Sequence, residues 1–135
     1  MMKFSIGKNA LMPDDSVAVD FMKAQTIGER LTIYALTEAE RKFRAFVFMA
    51  LTKIAKVANL DNDEMRAALM IDTGRAKMIR LPDGHRVHAF KSMNAMSMKH
   101  DDLAAFWEEA KAVIKRDIVP NLDDDDSKEI EELLT

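Results

Sequence analysis

The sequence predicts an α+β fold: a small mixed sheet with a central β-hairpin packed against amphipathic helices. The expected order is β-α-β-α-α-β-β-α, followed by a short acidic C-terminal helix. Three observations point there. Apolar residues recur at spacings of three and four over residues 43–58 and 103–114, the mark of helices with one buried face. Alternation marks half-buried strands at Leu31, Ile33 and Ala35, and two further strand-like runs flank Pro82-Asp83-Gly84, residue types that make a tight turn. Finally, 135 residues at 48% hydrophobic and 32% charged are enough for one core, with no repeat and no flexible linker. One domain is expected over residues 1–119, with an acidic tail over 120–135.

Each element has a local reason. Residues 3–6 form a short apolar strand closed by Gly7 and the turn-like Lys8-Asn9. Asp14, Asp15 and Ser16 after Pro13 offer side-chain oxygens to the unpaired N–H groups of a helix start. That helix, with Val17, Phe21 and Ala24, should stop near Thr26-Ile27-Gly28. A strand over 28–36 follows. Thr37 and Glu40 then make a capping box that opens the longest helix. Its inner stripe is Phe43, Phe46, Val47, Ala50, Leu51, Ile54 and Ala58; Arg41, Lys42, Lys53 and Lys56 lie opposite. Asn59 and Leu60 interrupt, and Asp61 with Glu64 starts another helix that ends at Thr73-Gly74. The hairpin occupies 75–91. A Met-rich connection over 92–100 leads to the last core helix, carrying Leu103, Phe106, Trp107, Ala110, Val113 and Ile114. Pro120 opens the acidic segment.

Composition excludes several chemistries. With no cysteine there is no disulfide framework, thiolate metal site or Cys nucleophile. No apolar run approaches the roughly 18 residues of a membrane span, and the first ten residues lack the apolar core of a signal peptide. A cytoplasmic protein with no membrane partner is expected. His85 and His88 are three apart on a strand, so they point to opposite faces and cannot share a metal. Pro82-Asp83 with Glu109-Ala110-Lys111 could be forced into a metal-dependent nuclease signature, but the first acid tops a hairpin and the second rides a helix. Asp61-Asn62-Asp63 lacks the glycine and glutamate of a calcium loop. Met93, Met96 and Met98 read as adaptable packing rather than a soft-metal site. No catalytic residue, metal or cofactor is expected, and no enzyme.

Charge is unevenly distributed. The net charge is −3, yet residues 117–135 hold eight acids and one base, a balance of −7 that leaves the rest at +4. Residues 41–58 contain five bases and no acid, and 75–91 carry five bases against Asp83 alone. Two cationic segments in an acidic chain suit sequence-independent contact with phosphates. The candidate contacts are Arg41, Lys42, Lys53 and Lys56 on the helix and Arg75, Lys77, Arg80 and Arg86 on the hairpin. Phe48, Phe90 and Tyr34 are candidates for base stacking. The run Asp123, Asp124, Asp125 and Asp126 is either a solvated helix start or a partner-binding tail.

The segments Asn9-Ala10-Leu11-Met12-Pro13, Ile27-Gly28-Glu29, Arg41-Lys42-Phe43-Arg44-Ala45-Phe46 and Lys91-Ser92-Met93-Asn94-Ala95-Met96 precede Phe106-Trp107. Together they resemble a phage and prophage family of unknown function over about residues 3–119. Glu40 stands where that family commonly has histidine, and Trp107 where it has tyrosine. The resemblance implies a protein that accompanies phage recombination and replication genes. It also implies a looser likeness to NinB-type recombination mediators, dimers that bind single-stranded DNA. The expected function is thus a recombination or replication accessory protein that binds single-stranded or junction DNA as a homodimer. The alternative is an adaptor or inhibitor of a host enzyme, acting on a host or phage protein through the acidic tail or Met-rich segment. With six to eight phosphates contacted, affinity for DNA should fall roughly 10³–10⁴-fold between 50 and 200 mM salt.

Overall fold

A computed structural model describes residues 2–30, 35–90, 93 and 97–135. The fold is α+β, with helices dominating and two separate two-stranded antiparallel sheets among the described residues. The chain divides into two compact units, Met1–Ile33 and Tyr34–Thr135.

In the first unit, β1 (Phe4–Ile6) pairs with β2 (Leu11–Pro13), Ser5 lying opposite Met12. The sequence reading did not include β2. It is three residues long and ends in a proline, so it carries too little alternation to register as a strand. Helix α1 (Ser16–Lys23) starts at Asp15, whose Oδ1 accepts from the Ala18 N–H at 2.7 Å while Oδ2 accepts from the Lys3 N–H at 3.1 Å. One carboxylate therefore caps the helix and anchors the strand. The helix stops at Lys23, several residues before Gly28, and buries Ala18 while Val17 stays 56% exposed. The strand expected over 28–36 has its centre, residues 31–34, outside the described residues.

The second unit holds the core. Helix α2 (Glu38–Val57) opens with the capping box: Thr37 Oγ1 accepts from the Glu40 N–H at 3.2 Å and Glu40 Oε2 accepts from the Thr37 N–H at 3.1 Å. It closes at Asn59, which takes the left-handed conformation with φ 55°. The Leu60 N–H then reaches back to the Ala55 carbonyl at 2.8 Å. Helix α3 (Asn62–Asp72) is capped by Asp61, which accepts from the Glu64 N–H at 2.9 Å. Gly74, at φ 72°, ends it in the same manner. β3 (Ala76–Arg80) and β4 (Arg86–Phe90) form the expected hairpin, paired from Ala76↔Phe90 to Arg80↔Arg86. Its turn closes with the Gly84 N–H on the Leu81 carbonyl at 2.9 Å, and Gly84 supplies a φ of 91° that a side chain would oppose.

Helix α4 (His100–Val113) runs without a break into a π-helical turn, Ile114–Ile118, and then a 3₁₀ turn, Val119–Asn121. Asp123 caps α5 (Asp124–Leu133). Val47, Leu51 and Ile54 of α2, Leu69 of α3 and Leu103, Phe106 and Ile114 meet in one cluster, which also takes in Met93 and Met98. Ile130 and Leu134 belong to it, at 0% and 2% exposure. The expected boundary at 119/120 is therefore corrected. Residues 120–135 are a docked helix of the second unit, because Ile130 and Leu134 are spaced to face inward together.

Phe46 departs from its expected core place: it stands at the edge of the stripe, 37% exposed, with its ring edge-on to Trp107 at 6.0 Å. Arg44 departs the other way. It is 8% exposed, and its guanidinium donates to the Met93 and Met98 carbonyls at 2.7 and 2.5 Å.

Candidate nucleic-acid interface

The eight basic candidates sort into two groups. Arg41 is engaged by Glu38 at 2.7 Å, and that hydrogen-bonded carboxylate holds the guanidinium above its ordinary pKa. Lys53 meets Glu129 of α5 at 2.7 Å. Arg75 is the most committed. It takes both oxygens of Glu109, donates to the Thr73 carbonyl at 3.0 Å, and lies 5.6 Å from the centre of the Phe106 ring. The Arg75 hydrogen bond in turn holds the Glu109 carboxyl below the usual range. These three cations join secondary elements and are poorly placed to contact phosphate.

The other five are open. Lys42 is 72% exposed with Glu38 only at 4.0 Å. Lys56, Lys77, Arg80 and Arg86 are exposed and have no ion-pair partner among the described residues. The hairpin register explains their arrangement. Lys77 shares a face with Ile79, Val87 and Ala89, while Arg80 and Arg86 sit directly opposite each other on the face of Met78, His88 and Phe90. Directly opposed like charges destabilise a strand pair. The nearby acid, Asp83, is occupied: it pairs with His85 at 2.9 Å and accepts the His85 N–H at 3.0 Å, contacts that hold its pKa down.

Among the stacking candidates, Tyr34 lies outside the described residues, as does the hairpin's last base, Lys91. Phe48 packs against the core with the Arg66 guanidinium 5.0 Å from its ring, so its face is taken. Phe90 is 46% exposed at the end of β4. Phe46 and Met49, 37% and 48% exposed on the outer side of α2 beside Lys42, Lys53 and Lys56, were not singled out for contact by sequence reasoning. The available signal was Phe46's position at the margin of the apolar stripe.

The four aspartates have local roles. Asp123 caps α5 by accepting the Asp126 N–H at 2.8 Å, and Asp124, Asp125 and Asp126 fill its first turn, where the helix dipole favours negative charge. Partial burial, then the neighbouring Asp123 and Glu129, push the Asp126 carboxyl up. Asp83 and Glu109, the acids of the nuclease-like pattern, are tied to His85 and Arg75 in separate elements. No three metal-binding side chains gather among the described residues, and no described helix is long and apolar enough to cross a membrane.

No protein-family model, curated protein or solved structure matches the chain.

Proposed function

We propose that this protein binds single-stranded or junction DNA through the phosphate backbone, using Lys77, Arg80 and Arg86 of the hairpin with Lys42 and Lys56 of α2. The observation that carries the reading is the Arg80–Arg86 pair. Two arginines face each other across adjacent strands, exposed and without an acid to neutralise them. That repulsion disfavours the free hairpin, and a polyanion laid across it removes the penalty. The resemblance to the phage family and to recombination mediators supports the narrower form: an accessory protein of recombination or replication, a homodimer in the cytoplasm of its host. The acidic run favours no competing adaptor reading, since capping and the helix dipole account for its position.

With three of the eight cations already paired, the salt dependence should be weaker than the sequence alone suggested. About five phosphate contacts give a roughly 10²-fold loss of affinity for single-stranded DNA between 50 and 200 mM salt. Fluorescence anisotropy of a labelled oligonucleotide measures it. Exchanging Lys77, Arg80 and Arg86 together for glutamine should flatten the slope by about half or more, whereas Arg41→Gln should barely change it. A salt-independent response, or no binding at 50 mM salt, would retire the proposal.

A further inference from the structure

Between the hairpin and helices α3 and α4 lies an open cleft of about 490 Å³. This is within the roughly 300–1,000 Å³ of small-molecule sites. Its walls are chiefly apolar: Met70 from α3, Ile79 and Ala89 from the hairpin, and Met98. Phe90 stands on the same rim. Ile79 and Phe90 are 43% and 46% exposed, large apolar groups left in water on a ribbon that is otherwise cationic. Packing within the chain does not account for them.

The polar lining separates what can enter from what cannot. Lys77 borders the cleft as an exposed cation without an ion-pair partner among the described residues, whereas Arg75 is already taken by Glu109. Asp102, in the first turn of α4, contributes a carboxylate to the lining. A phosphate would meet Asp102 inside and Lys77, Arg80 and Arg86 outside, so a polyanion has reason to stay on the ribbon. A flat, uncharged ring suits the interior: aromatic and thioether groups can contact its faces.

We infer that the cleft is a nucleobase site, holding one unstacked base of a single strand whose phosphates run along the hairpin cations. The inference rests on the DNA-binding reading and deepens it, because it names what distinguishes a single strand from a duplex. A paired base has its face covered by its neighbours and cannot turn into the cleft without unstacking, which costs a few kcal/mol.

The test compares two strands of equal length and charge, one with all its bases and one with abasic sugars at its central positions, each titrated with the full-length protein at two salt concentrations. The base-bearing strand should bind about 5–150-fold more tightly, the effect of one base–aromatic stack, with parallel salt slopes for both strands. Phe90→Ala should erase the difference while leaving the slopes intact. Equal affinities with salt-sensitive binding retained would overturn the cleft assignment and leave the DNA-binding reading standing. Absence of salt-sensitive binding to either strand would overturn both. The wild-type comparison decides the matter even if the Phe90 variant folds poorly.

Discussion

Replacing Arg44 with leucine should cost the protein about 3–5 kcal/mol, the range seen when one partner of a buried charged contact is removed. The guanidinium is 8% exposed and donates two hydrogen bonds to main-chain carbonyls, those of Met93 and Met98. Leucine would strip both carbonyls of their donor in a place where water replaces it poorly. The native state has only about 5–15 kcal/mol in hand, so this single loss is a large share. Arg44→Lys should recover part of it, because an ammonium on a flexible stem lacks the planar fork that spans two acceptors. Urea unfolding followed by the fluorescence of Trp107, the chain's one tryptophan and 3% exposed, measures both variants. A loss under about 1 kcal/mol for the leucine variant would show that the two carbonyls find other donors.

The second large effect lies in the acidic segment, and it is apolar in origin. Ile130→Ala should destabilise by about 2–5 kcal/mol, since the side chain is fully buried and the surrounding helices can collapse only partly into the space. Asp124→Asn and Asp125→Asn should stay within about 1 kcal/mol each, the scale of a charge in a first helical turn. The same urea midpoints separate the two. If the aspartate variants lost more than Ile130→Ala, the helix would be held by its charges rather than by its seat in the core. Deleting residues 121–135 consequently tests folding before it tests any partner.

The parts of this fold visible in the sequence are those whose causes are local. Thr37 with Glu40, Asp61 ahead of Glu64, and Pro82-Asp83-Gly84 each act within four residues, and each does so in the structure. Contacts between distant residues were hidden. Lys53 and Glu129, or Arg75 and Glu109, read as free charges because nothing in their own segments predicts the partner. The count of phosphate-binding cations was accordingly too high. The acidic character of residues 117–135 also masked the pairing of Ile130 with Leu134, four residues apart on one face. Arg44 was legible in principle: its helical angle falls close to Leu51 and Ala55, on the buried side of α2, where an unpaired lysine or arginine is rare. The cleft needed three dimensions, since its lining comes from α3, both hairpin strands, residues 97–98 and α4.

The π-helical turn Ile114–Ile118 makes the spacing between α4 and α5 a matter of single residues. Such a turn is what one extra residue produces inside an α-helix. Losing that residue would restore regular winding and swing everything beyond it by about 100°. Ile130 and Leu134 would then turn away from Leu51 and Phe106 even though every side chain was unchanged. The tip at Pro82-Asp83-Gly84 carries no such constraint, because it is exposed and what lies beyond it is held by its own core contacts. Over evolutionary time, insertions and deletions in this lineage should therefore collect at the hairpin tip. The number of residues from Ala110 to Ile130 should hold constant while the residues themselves drift.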